Sequence, residues 1–399
     1  MHTPAYSYYN QLFKNLSLPL AWCDLDLLDK NIADIAQRAA GSGKTIRVAS
    51  KSVRCTAILH RILDSHPIYQ GLMCFSGAEA IWLLSEGFDD LLLGYPIANA
   101  EDIRTICKAT ANGKRVMLMV DSEAHLQRIS AIAQEEGVVQ PVCIDIDMST
   151  DFPGIHFGVL RSPLTTVVKG KAFIDSFEKY PHVSLSGLMG YEAQIAGLGE
   201  RNPANGIKNL VIPFLKKKSI PDFTQRRQEL VAYIRQKNYP LALVNAGGTG
   251  SIESCAKEDW VTEITVGSGF YSPALFDYYS DFHHLPAAGF AVQIVRQPKE
   301  NHFTCLGGGY IASGSVGIDK QPKPYLPEGV QLTENEGTGE VQTPFSYKGS
   351  EPLSIGDSIL FRHSKAGELC ERFNELHLIS NGKITATVPT YRGQGKCFL

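Results

Sequence analysis

Short apolar runs alternate with longer segments of helical periodicity along most of this 399-residue chain. The alternation is typical of parallel strands joined by crossover helices. Eight of the apolar runs are predicted as strands: Ile46–Ser50, Gly71–Phe75, Asp90–Gly94, Val116–Val120, Pro141–Asp147, Ser184–Gly190, Leu241–Gly247 and Glu263–Gly267. Most of them are separated by predicted helices, namely Ala78–Glu86, Ala100–Ala109, Glu123–Glu135 and Phe223–Gln236. The pattern predicts an α/β fold with a closed (β/α)8 TIM barrel over residues 25–285.

A different pattern follows Pro286. Residues 286–399 contain short β-type runs and many turn signals. The runs are Ala291–Val295, Ile359–Arg362, Leu376–Ile379 and Ile384–Thr387. We predict a smaller C-terminal β domain here, and we expect it to include residues 1–24, because the apolar run Leu18–Cys23 precedes the helix Asp24–Arg38 and has no place in the barrel. Asp319–Thr343 is rich in Pro, Gly and charge, so it is expected to be a loop.

Composition limits the class of protein. The formal charge of -3 argues against a nucleic-acid partner. The chain has no run of about 18 apolar residues and no basic amino-terminal region followed by an apolar one, so a cytoplasmic protein without a membrane partner is expected. Nine cysteines, an odd number without a C-x-x-C pair, are expected to be small buried apolar side chains rather than a disulfide framework.

Candidate chemistry begins at the first predicted barrel strand, which ends on Lys51. Barrel enzymes carry out their chemistry at the carboxyl ends of the strands. A poorly solvated lysine there loses its proton readily, and its free amine can attack a carbonyl to form a Schiff base. An ordinary strand-terminal lysine that reaches solvent is the alternative.

Two glycine clusters follow the last two predicted barrel strands. They are Asn245-Ala-Gly-Gly-Thr-Gly-Ser251 and Val266-Gly-Ser-Gly-Phe-Tyr271. Glycines let backbone amides approach an anion closely, and the hydroxyls of Thr249, Ser251 and Ser268 add donors. The loops after strands seven and eight often form the phosphate site of a barrel enzyme. Glycine turns are also common without any ligand.

A phosphate site and a reactive lysine across one barrel mouth together describe a site for pyridoxal 5'-phosphate. The order of elements resembles the alanine-racemase-like barrel enzymes, and among them the D-threonine aldolase and D-serine dehydratase group. The matching segments are Trp22-Cys-Asp-Leu-Asp26, Arg47 with Lys51, Gly77-Ala-Glu79, Gly87-Phe-Asp-Asp-Leu-Leu-Leu93, Gly247-Gly-Thr-Gly250, Gly267-Ser-Gly-Phe-Tyr271 and Pro389-Thr-Tyr-Arg-Gly393. The resemblance implies that Lys51 is the cofactor lysine. It also implies that Arg47, Gly247, Gly248, Thr249, Gly250, Gly267, Ser268 and Gly269 belong to the cofactor site.

Further site residues are implied by the same resemblance. His156 lies where the family often has an arginine, and it is a candidate for the cofactor's phenolic oxygen or the substrate carboxylate. Tyr191 matches a family tyrosine that contacts the pyridine ring, and Gln194 is a candidate for the substrate wall. The chain departs from the aldolases at Ala49 and Val53, where they usually have histidines. His156 packing beneath a loop and Tyr191 being a core residue are the structural alternatives.

A divalent metal, zinc or manganese, is a further expectation. Family members that cleave or eliminate at the β-carbon carry a His-x-Cys or His-x-Asp pair in the small domain. Glu368 and Cys370 occupy the matching spacing, with His363 upstream, and alternate residues of a strand would face one ion. Without a metal, the same residues could be acid/base groups, could bind substrate as in related metal-free deaminases, or could form a polar strand over the mouth.

The resemblance therefore implies a pyridoxal-phosphate-dependent lyase for a β-hydroxy D-amino acid, acting as an aldolase or as a dehydratase/deaminase. One alternative is a racemase, whose second base is usually a tyrosine from the small domain of a partner chain, with Tyr310 and Tyr391 as the candidates. The other is a non-catalytic cofactor carrier, which a second domain over the barrel mouth argues against. A homodimer is expected, because in this family the small domain of one subunit approaches the barrel of another.

Overall fold

The computed structural model describes residues 5–315 and 317–399. Its α-helices are α1 (Tyr6–Phe13), α2 (Leu25–Ala39), α3 (Thr56–Ser65), α4 (Gly77–Ser85), α5 (Ala100–Ala111), α6 (Glu123–Glu135), α7 (Val167–Ser176), α8 (Ala193–Ala196), α9 (Lys208–Gln236), α10 (Ile252–Ala256) and α11 (Ser268–Tyr271). Its strands are β1 (Leu20–Asp24), β2 (Thr45–Ala49), β3 (Tyr69–Cys74), β4 (Leu91–Leu93), β5 (Val116–Val120), β6 (Gln140–Asp145), β7 (Thr150–Phe152), β8 (Ile155–Phe157), β9 (Val183–Gly190), β10 (Leu243–Ala246), β11 (Glu263–Val266), β12 (Ala288–Lys299), β13 (His302–Leu306), β14 (Lys323–Leu326), β15 (Val330–Leu332), β16 (Gln342–Tyr347), β17 (Ser358–Arg362), β18 (Glu375–Ser380) and β19 (Lys383–Pro389). None of the helices in these ranges is long and apolar enough to cross a membrane.

A closed parallel barrel forms the larger unit. Its strands follow the order β2, β3, β4, β5, β6, β9, β10 and β11, and β11 pairs with β2 to close it. The predicted TIM barrel is confirmed, since each of the eight predicted runs contributes one barrel strand. The helix predicted over Phe223–Gln236 is only the second half of α9. Its first half escaped prediction because Pro213 and Pro221 lie inside the helix, where proline normally signals a break.

Arg47 lies inside the barrel wall rather than at a cofactor site. Its guanidinium donates to Glu263 at 2.7 and 2.9 Å, to Asp90 Oδ1 at 2.9 Å, and to the backbone oxygens of Asp90 and Leu72. The Glu263 carboxylate also accepts a hydrogen bond from Asn245 at 2.7 Å. These five hydrogen bonds occupy the N–H donors of the guanidinium within the barrel. The prediction that Arg47 binds the cofactor is therefore wrong.

An antiparallel-rich sheet forms the second unit. Its strand order is β15-β16-β13-β12-β1-β18-β19, with β17 pairing β12 and β14. The amino-terminal strand β1 lies at its centre, antiparallel to β12 and parallel to β18. The expectation that Asp319–Thr343 is a loop is wrong, because this segment contains β14 and β15. Both strands are short and partly exposed, so their side chains lack the apolar pattern that marks a buried strand.

The sheet domain packs directly over the barrel mouth. Gly367 has φ +85°, and a Cβ added there would collide with the backbone oxygen of Lys51. The backbone nitrogen of Tyr391 donates to the Arg54 oxygen at 2.9 Å, and the Tyr391 hydroxyl donates to Glu79 Oε1 at 3.1 Å. The close contact at Gly367 shows that loop 365–368 packs against the carboxyl end of β2, and the Tyr391 hydrogen bonds fix the sheet domain beside it.

The Arg47 contacts predict a large stability effect. Replacing Arg47 with Met leaves the buried carboxylate of Glu263 without its cation, which costs about 3–5 kcal/mol for a buried pair. Arg61→Met is the matched control, since Arg61 forms a solvent-exposed pair with Asp29 worth about 0–1 kcal/mol. Urea unfolding of the two variants measures both losses. Equal losses would contradict the assignment of Arg47 to the barrel framework.

Candidate active site

A cavity of about 580 Å³ lies between the carboxyl ends of the barrel strands and the sheet domain. This volume is within the usual range for small-molecule sites. Residues at or just beyond the carboxyl ends of six barrel strands line it, as do residues from the loops of the sheet domain: Lys51, Tyr95, Asp145, Tyr191, Gly247, Gly248, Thr249, Gly267, Ser268, Ser313, Asp319, Lys320, Lys365 and Glu368. A larger groove, of about 1070 Å³, lies between α2 and α3 at the opposite end of β2, away from these side chains.

Lys51 lies in a turn that directly follows β2, and its side chain reaches into the cavity. Its Nζ donates to the hydroxyl oxygen of Tyr95 at 2.6 Å. Burial alone would raise the pKa of Tyr95, but the positive charge and hydrogen bond of Lys51, with help from Arg161, lower the pKa below the ordinary tyrosine value. A hydrogen-bonded amine and phenol therefore lie at this side of the cavity.

Glycine turns that follow β10 and β11 form the neighbouring wall, since β11 pairs with β2. Gly247 has φ +84°, a conformation that side chains rarely adopt, and a Cβ at Gly267 would lie only 2.7 Å from Ser52 Oγ. The two turns are tied together, because the Gly269 nitrogen donates to Thr249 Oγ1 at 3.0 Å. Gly247, Gly248, Thr249, Gly267 and Ser268 all line the cavity.

Two of the predicted glycines lie behind this wall. Gly250 packs against Tyr279 and the Ala196 oxygen, and Gly269 packs against Thr249 and His284. Neither is among the residues that line the cavity. The prediction that they contact the cofactor is corrected to a supporting role, since each lets a neighbouring element pack closely behind the turn.

A buried ionic cluster supports the first glycine turn. Arg227 is fully buried and pairs with Glu192 and Glu258. Glu192 accepts a hydrogen bond from Ser251 Oγ at 2.8 Å, and Ser251 Oγ in turn accepts the Gly248 nitrogen at 3.1 Å. The cluster fixes the turn from behind. Sequence reasoning missed it, because Arg227 lies on α9 and Glu192 follows β9, with no local pattern to connect them.

Asp145 and Arg161 are two further cavity residues that sequence reasoning missed. Burial, with the nearby charge of Asp121, raises the pKa of Asp145 to about 7, although Arg161 opposes the shift. Arg161 lies at the rim, partly in solvent. It comes two residues after Gly158-Val159, whereas the family arginine was expected two residues before that pair. A cation is thus present in the loop after β6, but at a shifted position.

His156 and Gln194 lie outside the cavity. His156 is on the exposed hairpin formed by β7 and β8, and its Nδ1 is 2.7 Å from Asp151 Oδ1. Gln194 is buried and donates to the Met148 oxygen at 2.7 Å. The predicted catalytic and substrate-binding roles of these two side chains are therefore wrong. Tyr191 does line the cavity, and burial raises its pKa to about 12.

The three expected metal ligands do not converge. Glu368 lines the cavity and accepts the Ser313 nitrogen at 3.0 Å. Cys370 is fully buried in a short 3-10 helix, where burial raises the pKa of its thiol, and His363 is fully buried, with a pKa lowered by burial to about 3. Residues two apart on such a helix point to different sides, unlike those on a strand. The prediction of a shared metal site is wrong, and across residues 5–315 and 317–399 no three His, Cys, Asp or Glu side chains could hold an ion.

Residues 23–274 match the family model of the alanine racemase N-terminal domain. The chain belongs to this family. This finding confirms the resemblance to alanine-racemase-like enzymes.

Curated relatives match part of the chain. It is 25% identical over 259 residues to the D-threo-3-hydroxyaspartate dehydratase of Delftia sp. (strain HT23), a match that covers 63% of this chain and 60% of the relative. It is 21% identical over 197 residues to the 3-hydroxy-D-aspartate aldolase of Paracoccus denitrificans, covering 48% of this chain and 47% of the relative. The match thus spans less than two thirds of either relative.

Solved structures match over almost the full length. The D-threonine aldolase from Filomicrobium marinum superposes with a TM-score of 0.77 at 17% identity, covering 95% of this chain and 96% of that one. The D-threo-3-hydroxyaspartate dehydratase from Delftia sp. HT23 superposes with a TM-score of 0.74 at 16% identity, covering 95% and 98%. At these identities the likeness establishes a common fold, including the second domain.

The Asp145 carboxyl predicts a pH-dependent stability difference. Its folded pKa of about 7 exceeds the ordinary aspartate value of 3.8, so between these values the folded protein binds more protons than the unfolded chain, and this contribution to stability falls as pH rises. Asp145→Asn removes this pH-dependent loss of stability, because an amide does not titrate. We expect the free energy of unfolding of the variant, relative to the unchanged protein, to increase from about pH 5 to about pH 8.

Chemical unfolding at the two pH values measures the change. Asp64→Asn is the control, because Asp64 is exposed on α3 and should show no such trend. The same pH dependence in Asp145→Asn and Asp64→Asn would contradict the prediction, because it would mean that burial does not hinder ionisation of the Asp145 carboxyl.

Proposed function

We propose that this protein is a pyridoxal-phosphate-dependent lyase acting on a β-hydroxy D-amino acid, as an aldolase or as a dehydratase/deaminase. The observation that carries the proposal is the placement of the Lys51 amine and two glycine turns in one cavity. An amine suits an aldehyde, and clustered backbone amides suit a phosphate. Family membership and the names of the two curated relatives support the choice of reaction class.

The residues present fit this cofactor. Lys51 would hold its aldehyde carbon, the turns at Gly247–Thr249 and Gly267–Ser268 would hold its phosphate, and Tyr191 would pack near its ring. When bound, pyridoxal phosphate withdraws electrons from the substrate Cα, which weakens the bonds to that carbon. Gly248 lines the cavity and lets the first turn pack closely on Ala196, because a Cβ there would lie 2.7 Å from the Ala196 Cβ.

The remaining cavity groups bind and orient the substrate. Arg161 has no carboxylate within ion-pair distance among the described residues, and it would bind the substrate carboxylate. Lys365 and Glu368, both held by Ser313, face the same space and would contact the β-hydroxyl. The loop that carries them excludes water from above Lys51. Among the described residues, the donor set does not fit a metal ion.

A racemase is the competing function, and it needs a second base. Tyr391 is fully buried against Glu79, and Tyr310 packs edge-on against Phe290 and Phe373. Neither lines the cavity of its own chain. A cofactor carrier would not need the charged loop that covers the site. Neither alternative is favoured by a specific contact in the described part of the chain.

We also propose that the chain forms a homodimer. Ile207, Leu210, Val211 and Phe214 recur at helical spacing around the start of α9 and are 42–81% exposed. An apolar helix face of this kind on a folded domain marks an interaction surface. The side chains of Leu210 and Phe214 would be covered by the second copy.

The dimer has a direct test. Leu210→Lys with Phe214→Lys should convert the protein from twice the chain mass to a monomer, because two charges would have to be buried at the interface. Light scattering after size-exclusion chromatography measures the mass. Val168→Lys on α7, an equally exposed apolar position, is the control and should leave the dimer intact. If the variant that carries both Leu210→Lys and Phe214→Lys is still a dimer, the interface lies elsewhere.

The activity is tested with a panel of D-amino acids and added pyridoxal phosphate. An aldolase releases glycine from D-threonine, a dehydratase releases pyruvate and ammonia from D-serine, and a racemase converts D-alanine into L-alanine. We expect one of the first two outcomes with a β-hydroxy substrate. Conversion of D-alanine alone would overturn the lyase proposal in favour of a racemase.

Lys51→Ala is the decisive variant for this site. We expect it to lose both the visible absorbance of the covalently bound cofactor and turnover, because the other cavity lysines, Lys320 and Lys365, come from the sheet domain and are bonded to Asp319 and Ser313. Lys179→Ala, which removes an exposed lysine paired with Glu123, is the control and should retain both. Persistence of absorbance and turnover in Lys51→Ala would refute the assignment.

A further inference from the structure

Tyr95 is the hydrogen-bond partner of the Lys51 amine. In the part of the chain that the structure describes, Lys51 Nζ has no other hydrogen-bond partner, and the N–O distance is 2.6 Å. The Tyr95 hydroxyl likewise makes no second hydrogen bond within those residues. Its interaction is therefore directed at one reactive atom rather than spread over a structural network.

The barrel holds Tyr95 in this place. It follows the fully buried strand β4, separated from it only by Gly94, whose nitrogen donates to the Cys74 oxygen at 2.8 Å. Pro96 comes next, and a residue before proline is restricted to extended conformations. A short buried strand on one side and a proline on the other thus leave the Tyr95 backbone little freedom, which is what a precisely placed catalytic group requires.

The charges around the phenol favour easy loss of its proton. Lys51 and Arg161 face it with positive charge, while Asp145 and the Tyr191 hydroxyl lie nearby on the walls that follow β6 and β9. Burial acts against ionisation, but the two cations outweigh it and lower the pKa of Tyr95. A phenol in this setting can both give and take a proton.

We propose that Tyr95 is a catalytic acid/base residue that exchanges protons with Lys51 Nζ. The inference rests on the proposed function of Lys51. When the lysine forms its C=N bond to an aldehyde, the ammonium gives up two of its three protons and the aldehyde oxygen leaves as water with them. Tyr95 carries those protons one at a time between nitrogen and oxygen. No oxidant or reductant takes part.

Tyr95→Phe tests the proposal, because it removes the hydroxyl and keeps the ring. The first measurement is the rate at which the cofactor-free protein takes up pyridoxal phosphate, followed by its visible absorbance across a range of pH. We expect uptake to reach the same final occupancy but to slow by about 10²–10⁴-fold, the usual contribution of a general acid/base. The second measurement is turnover, where kcat should fall by a similar factor with little change in KM.

Two further variants complete the experiment. Tyr95→His supplies another proton carrier and should recover part of the uptake rate and alter its pH profile. Tyr180→Phe, which removes a surface hydroxyl bonded to Glu123, should match the unchanged protein. Unchanged uptake and turnover in Tyr95→Phe would overturn the proposal, and so would a lower final occupancy without a change in rate, which indicates packing alone. If the unchanged protein takes up no cofactor, the proposed function fails first, and this proposal fails with it.

Discussion

The buried guanidinium of Arg47 joins the strands on which the site depends. It is on β2, which leads to Lys51, and it pairs with Glu263 on β11, which leads to Ser268. Glu263 also bonds Asn245 on β10, and Arg47 binds both the backbone and the side chain of Asp90, just before β4. One ionic cluster therefore sets the register of four strands. Buried ion pairs add little net stability compared with apolar packing. A strand pairing that separated the two partners, however, would leave a buried charge unpaired and would be strongly destabilised.

The cavity inherits its geometry from that register. The lysine, the phenol and both glycine turns lie a few residues beyond the cluster, on the ends of the strands that it aligns. A second buried cluster, of Arg227 with Glu192 and Glu258, repeats the arrangement behind the first glycine turn. The site is thus held by charges that lie beneath it and do not face it, and this leaves the cavity-facing groups free for ligands.

The sequence predicted the features that depend on local pattern. Continuous apolar runs located the barrel strands, because a parallel strand is buried on both faces. The same runs placed Lys51 and the glycine turns at strand ends. The segment at Lys323–Leu326 could not be recognised, because only Leu326 among its four side chains is buried. Likewise, Glu368 and Cys370 were expected on a strand, and only the backbone shows that they belong to a helical turn.

Contacts between distant elements escaped prediction for a related reason. Tyr95 follows an unremarkable three-residue strand, and nothing near it in the chain signals an amine 44 positions earlier. Arg161 was missed because the family arginine was expected two residues before Gly158-Val159, which assumes that the loop has the same length in this chain. His156 was chosen by the same assumption, although the hairpin of β7 and β8 carries it into solvent. Partners of this kind become visible only once the barrel brings the strand ends together.

The central position of β1 has a consequence for how the chain is made. This strand is synthesised before the barrel, yet its neighbours β12 and β18 are synthesised after it. During translation the apolar side chains of Leu20 and Trp22 have no sheet to join until β12, which follows the whole barrel, has left the ribosome. The barrel can close in the meantime, since all of its strands lie between these elements. The domain that covers the site is therefore assembled last, by a strand that has waited at the amino terminus.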